Sequence, residues 1–305
     1  MFRQSIFTDR TKASILLALA AFGWGTNTIA SKLAVGEVSP MMLIFVRWVI
    51  VASLLCFLYW KPMKIAWPLV KSRLIWVLLM GGLRLSVFNA LFYMSAHYTT
   101  ALNLGIIQSI MPAMILLGSL LVWKVKITKL QIVGLCLTFA GAVFIITKGQ
   151  PIKILSLSVN IGDLLMLTAC IFYAGYTVGL KGRPNISGTV MMAYFSIAAL
   201  LMTLPLVIIE AIFFKSVYPS QNGLLIIAYI AFVPSFLSQI FFMRGVDVIG
   251  PNSSGLYANL VPIFSTILSV LLLNEALQSF HLVSLAIVFC GIYIFEIKAQ
   301  RKNIN

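Results

Sequence analysis

The chain has 305 residues, 61% of them hydrophobic and only 10% charged, with a mean hydropathy of +1.04 and a formal net charge of +15. A soluble domain carries about a quarter charged residues, so this chain cannot cover a water-facing surface and reads as an integral membrane protein. The positive charge is dispersed over short segments between apolar runs, which argues against a nucleic-acid partner and makes the lipid bilayer the expected one.

Crossing the hydrocarbon takes roughly 17 to 25 apolar residues. Ten such runs follow one another at 13–34, 40–60, 74–95, 100–123, 129–147, 161–181, 187–210, 222–243, 252–273 and 280–297. The first is preceded by Arg3, Arg10 and Lys12, but it is too long for a secretory signal and lacks a small-residue cleavage site. It carries Trp24 and Asn27; the second carries Arg47. The third has Arg84 near its middle, followed by Phe88, Asn89 and Tyr93. Span four contains Asn103, Gln108 and Pro112, span six Tyr173 and Tyr176, and span nine Tyr257, Asn259 and Pro262. Cys56, Cys136, Cys170 and Cys290 fall in four different spans without ligand spacing, so neither a disulfide framework nor a metal site is expected.

Identical residues recur at an offset of 150, among them Phe92 with Phe242, Gly105 with Gly255, Pro112 with Pro262, Ser119 with Ser269 and Gly141 with Gly291. Nearer the front the offset slips by one, placing Trp24 over Tyr173 and Lys32 over Lys181. The chain therefore divides into two copies of one module, 1–150 and 151–305, with five spans each. Five is odd, so the second copy enters the membrane inverted, an architecture that recurs in secondary transporters with a midplane site between the repeats. The fold class expected is all-α, with ten transmembrane helices as two inverted five-helix repeats.

The basic residues set the orientation. With the N-terminus in the cytoplasm, the inner segments hold Arg3, Arg10 and Lys12, the group from Lys61 to Arg73, Lys124 to Lys129, Lys181 and Arg183, Arg244, and the C-terminal group from Lys298. The outer segments hold only Lys32, Lys148, Lys153 and Lys215. By the positive-inside rule both termini are cytoplasmic, in a multi-pass protein of the inner, cytoplasmic membrane.

The run Phe22-Gly23-Trp24-Gly25-Thr26-Asn27, Arg47 in span two, the paired proline-centred spans four and nine, and Asn274-Glu275-Ala276 with Gly291 together resemble the EamA-type family of the drug/metabolite transporter superfamily. The resemblance covers nearly the whole chain and implies a ten-helix carrier of small metabolites or drugs, commonly an exporter. One departure is visible, since the position matching Glu275 in the first copy is Val125.

Ionisable groups within spans cost about 2.5 to 3.5 kcal/mol on insertion scales and default to functional hypotheses. Arg47 and Arg84 qualify; Asp163, Glu210, Asp247 and Glu275 all fall at span ends. The absence of mid-span acids weakens a proton relay and leaves the two cations available for an anionic or zwitterionic ligand. Arg84 has Pro234 as its repeat mate, so its charge breaks the module's symmetry as a specific substrate contact requires. The expected substrate-binding set is Arg84, Trp24, Asn27, Asn89, Tyr93, Gln108, Tyr176, Tyr257 and Asn259, with the amides equally suited to gluing helices together. Arg47, Pro112 and Pro262 are read as structural or gating residues, the arginine tying helix ends or carbonyls and the prolines weakening spans four and nine.

HExxH, P-loop and GxSxG motifs are absent, and acids are too few for a metal-diphosphate site, so an enzyme is not expected and no cofactor is implied. The expectation is a monomer-competent carrier working by alternating access on a small-molecule substrate, foremost an exported amino acid or related zwitterion with an aromatic or bulky part. An importer or exchanger of a more anionic, nucleotide-like metabolite is the alternative, and a channel the third class. A coupling ion or counter-substrate completes the partners such a carrier requires.

Overall fold

The computed structural model describes residues 2–125, 127–150, 160–214, 216–250 and 254–301. They form ten helices: α1 (Phe2–Leu33), α2 (Pro40–Lys71), α3 (Leu74–Ser95), α4 (Ala101–Trp123), α5 (Lys129–Ile146), α6 (Ile161–Gly182), α7 (Gly188–Phe213), α8 (Gln221–Ile249), α9 (Leu256–Leu273) and α10 (Ser279–Arg301). Among the described residues the first nine are long and apolar enough to cross a membrane, and α10 has a shorter apolar stretch, Ser279–Ile294. Large apolar side chains point away from the protein, Phe57 at 82% and Ile65 at 81% exposure, as contact with lipid demands.

The packing follows the duplication. Helix α1 lies against α8 and α9, while its repeat mate α6 lies against α3 and α4. The mates α2 and α7, α4 and α9, and α5 and α10 pack on each other. Exchanging the halves maps these pairings onto themselves, which is the pseudo-twofold relation that inverted repeats possess.

The α5–α10 pair depends on glycines at equivalent positions. A Cβ on Gly141 would lie 2.5 Å from Val288 Cγ2, and one on Gly291 would lie 2.7 Å from Gly134 O. Ser284 Oγ closes the crossing by donating to Gly141 O at 3.0 Å. Backbone contact of this kind is how helices associate where lipid removes the hydrophobic driving force.

Several spans that read as uninterrupted in the sequence are not regular α-helix. Helices α3 and α8 each contain a π segment, Gly82–Val87 and Ala231–Leu237, at repeat-equivalent positions. Wide π turns occur as single bulges inside α-helices and offset the usual carbonyl partners. Helix α4 turns at Ser109 and Ile110 before restarting at Met111, and α9 opens with a 3-10 turn, Leu256–Asn259, before Leu260. Pro112 and Pro262 lack the N–H that would bond the carbonyls of Gln108 and Ala258, which locates both breaks. Helix α2 continues past residue 60 through Pro62 and Pro68 to Lys71, with non-helical angles at Tyr59. The segment 61–71, expected as a connector, is helical because Met63, Ala66 and Val70 face the protein and Tyr194 Oη donates to Met63 O at 2.8 Å.

Replacing Gly291 with leucine is expected to cost at least about 1–3 kcal/mol, since the α5 backbone cannot retreat. A lowered melting temperature of the detergent-solubilised protein is the readout; an unchanged one would mean that the α5–α10 crossing is not as close as described.

Candidate functional site

The π segments supply the anchors of the central site. Leu85 O in α3 accepts from Asn89 Nδ2 at 2.7 Å and from Trp48 Nε1 at 2.8 Å. In α8, Ile230 O accepts from Ser235 Oγ at 2.5 Å and Pro234 O from Trp24 Nε1 at 3.1 Å. Asn89 and Ser235 are thereby held with their oxygens toward Arg47. The Arg47 guanidinium donates from Nε to Ser235 Oγ at 2.6 Å, and from Nη1 to Asn89 Oδ1 at 3.1 Å and Tyr93 Oη at 2.9 Å. Tyr93 Oη in turn donates to Asn27 Oδ1 at 2.8 Å. Arg47 is 5% exposed, and its guanidinium carbon lies 4.8 Å from the centre of the Trp48 ring. One buried cation thus links α1, α2, α3 and α8.

Arg84 sits differently. It projects from the α3 π segment and is half-buried among three rings, with its guanidinium carbon 4.7 Å from the Tyr173 centroid, 5.6 Å from Phe88 and 5.9 Å from Tyr176. It makes no hydrogen bond or ion pair among the described residues. The repeat explains the placement, because Tyr173 and Arg84 are the mates of Trp24 and Pro234. The same α1–α8 contact that gives a Trp24 N–H to a Pro234 carbonyl becomes, in α6–α3, an aromatic ring beneath a cation. Tyr176 also meets Phe195 of α7 edge-on, with centroids 5.9 Å apart. The rings hold the charge by cation–π attraction.

The sequence-derived set therefore separates. Arg84 and Tyr176 share the aromatic cluster, while the polar atoms of Asn27, Asn89 and Tyr93 are engaged around Arg47 and that of Trp24 is spent on Pro234 O. Gln108 turns back on its own helix, donating to Leu104 O at 3.3 Å. Tyr257 and Asn259 lie half-buried in the 3-10 turn of α9, Pro112 is half-buried after the break in α4, and Pro262 is buried at the start of the regular part of α9. Ser235 and Trp48 belong to the Arg47 network without having stood out in the sequence. A serine next to a proline in an otherwise apolar span was the available signal for the first.

Four of the seven acids, Glu37, Asp163, Glu210 and Glu275, lie at one end of the bundle. Glu210, at the end of α7, accepts from the Met41 and Met42 N–H groups of α2, both at 3.1 Å. Glu275, after α9, accepts from the Ala101 and Leu102 N–H groups of α4, both at 2.8 Å. Asp163 in α6 accepts from Thr99 Oγ1 at 2.6 Å, and Glu37 pairs with Ser220 Oγ. Ser39 N–H donates to Val217 O at 3.0 Å on the same face. Each link joins the first copy to the second, so this face is stitched shut. At the opposite face the mate of Glu275 is Val125, and the inter-copy polar contacts include Arg73 to Gly182 O and Trp123 Nε1 to Val178 O, each at 3.1 Å.

Two inverted five-helix repeats, a half-buried cation within the bundle and one face tied by hydrogen bonds between the copies are the features of a membrane transporter. The chain belongs to the EamA-like transporter family, whose sequence profile matches residues 11–147 and again 160–296. It is similar to the uncharacterized transporter YyaM of Bacillus subtilis (strain 168), 25% identical over 91% of each chain. An uncharacterized transporter of Archaeoglobus fulgidus is 26% identical over 95% of this chain and 99% of its own. A crystal structure of a protein with 17% identity superposes over 96% of this chain and 99% of its own with a TM-score of 0.63, which shows the fold.

Arg47→Ala would leave Ser235, Asn89 and Tyr93 facing an empty buried position, at about 1–3 kcal/mol for each group left unsatisfied. Loss of monodisperse protein and a lower melting temperature are expected, and Arg47→Lys should not restore them because an ammonium cannot reproduce the guanidinium fork. A variant as stable as wild type would contradict the tie between the four helices.

Proposed function

We propose that the protein is a secondary carrier that moves a small carboxylate-bearing metabolite by alternating access, foremost an amino acid or related zwitterion with an aromatic or bulky part, in the direction of export. The observation that carries this reading is Arg84, a cation within a membrane-spanning helix whose neighbours are rings and whose N–H donors are unclaimed among the described residues. An isolated charge at that depth is costly, and a carboxylate is the group that a guanidinium fork matches in charge and shape. Phe88, Tyr173 and Tyr176 give the same position apolar walls against which a ring or branched chain packs. Arg47 supplies background positive potential, while its Nε and Nη1 are already committed to protein groups.

The basic segments argue that both termini are cytoplasmic, with the protein in the cytoplasmic membrane. In that orientation the face closed by Glu210, Glu275 and Asp163 is the outer one and substrate enters from the cytoplasm, in keeping with export. A second reading, an importer or exchanger of a more anionic metabolite, draws on the lack of any acid among the described groups that contact Arg84 to receive a substrate ammonium.

Counterflow in proteoliposomes against a panel of amino acids, nucleotides and phosphorylated metabolites tests the proposal. Saturable exchange of a carboxylate-bearing class is expected for wild type, with exchange lost or redirected in Arg84→Ala at unchanged melting temperature. Undiminished exchange in that variant, or selectivity for a solute without an anionic group, would refute it.

A further inference from the structure

Asp163 stands in the first turn of α6 with 0% exposure. It is brought there by Gly162, where a Cβ would lie 2.8 Å from Ser95 O and 2.9 Å from Thr99 N, so only glycine lets the start of α6 press against the α3–α4 turn. The carboxylate has neutral partners alone. Thr99 Oγ1 donates to Oδ1 at 2.6 Å, and Asn103 Nδ2 makes long contacts of 3.3 Å to Oδ1 and 3.4 Å to Oδ2. The other end of that amide, Asn103 Oδ1, is buried with no hydrogen-bond partner among the described residues. The cluster therefore has a weakly held carboxylate oxygen, an orphaned amide oxygen on the same side chain that reaches it, and one hydrogen too few to satisfy both.

Two of the three other acids of this face, Glu210 and Glu275, have different partners. Each accepts a pair of backbone N–H groups at a helix start. Asp163 has a hydroxyl and an amide, groups that tolerate either charge state. The charges around it are Lys148, which attracts it, Lys32, whose Nζ donates to Ala96 O and Thr99 O at 2.8 Å each, and Glu275 on the first N–H groups of α4. His97 in the same turn is pushed below its ordinary value by partial burial and by the Lys32 ammonium, so it is neutral near pH 7. Lys32 occupies the carbonyls that a sodium ion would need, which leaves the proton as the cation this donor set accepts.

We propose that Asp163, with Thr99 and Asn103, is the binding site of a coupling proton, and that transport is driven by the proton gradient. The proton adds to Oδ2 and leaves it unchanged in each cycle. While it is bound, Thr99 still donates to Oδ1, and rotation of the Asn103 amide exchanges its two ends so that Asn103 Oδ1 accepts from the new O–H. Asp163 belongs to the second copy and Thr99 and Asn103 to the first, so the change of partner falls on the seam that closes this face. The proposal rests on the carrier reading above.

Infrared difference spectra of proteoliposomes between about pH 8 and about pH 5 read the site without substrate. Wild type is expected to gain a protonated-carboxyl band that Asp163→Asn lacks, and Thr99→Val, which removes the shortest hydrogen bond, is expected to move its midpoint. In flux measurements with the panel compound that wild type exchanges, a pH gradient should accelerate wild type and not Asp163→Asn. A band that persists in Asp163→Asn, or a gradient response equal to wild type, overturns the proposal. Should that variant fail to fold, an unmoved midpoint in Thr99→Val overturns it. If wild type exchanges nothing while the band behaves as expected, the carrier reading fails and the protonation site stands.

Discussion

A guanidinium buried in a membrane protein must find acceptors inside the protein, and in this chain the acceptors around Arg47 come from α3 and α8, with Tyr93 passing the link on to Asn27 of α1. Two of them, Asn89 and Ser235, are aimed by Leu85 O within the π segment of α3 and Ile230 O at the start of the π segment of α8. The π segments thus do more than interrupt two spans. They fix side chains whose oxygens converge on one cation, and that convergence holds α1, α2, α3 and α8 in register around the centre of the bundle. Because the partners are neutral, the network keeps its positive charge and contributes to the potential felt by anything entering beside it.

The two copies stop matching at two places. The α1–α8 contact and the α6–α3 contact descend from the same piece of module, yet one ends in a hydrogen bond from Trp24 to Pro234 O and the other in a cation among Tyr173, Tyr176 and Phe88. The acids show a parallel asymmetry. Glu275 caps α4 across the repeat boundary, whereas its mate Val125 has no carboxylate to offer, so the polar stitching gathers on one face. The scaffold is symmetric, whereas its central charge and its polar seams are not.

Ten helices, the duplication and its inversion were legible from hydropathy and the offset of 150, because lipid forces long apolar runs and a repeat leaves identities at fixed spacing. The prominence of Arg47 and Arg84 was legible for the same reason, since charges inside apolar runs stand out. The division of labour between them was not, because it depends on which carbonyls the π segments present, and a π bulge of six or seven residues leaves no periodic trace. The helical continuation of α2 was hidden by Pro62, Pro68 and the lysines around them, which read as a connector until the packing of Met63 and Tyr194 is seen. Asp163 was placed correctly at a span end, but its complete burial follows from Gly162 and the α3–α4 turn, a contact between residues far apart in the chain.

The division between a committed Arg47 and an available Arg84 is tested most directly by ligand-induced stabilisation with matched probes. Phenylacetate and phenylacetamide share shape and ring, and only the first carries a charge for a guanidinium. The purified protein should be stabilised against thermal unfolding by the carboxylate and not by the amide, and Arg84→Gln should abolish the difference. Equal stabilisation by both probes, or a carboxylate preference that survives in Arg84→Gln, would contradict the assignment of Arg84 as the anion contact.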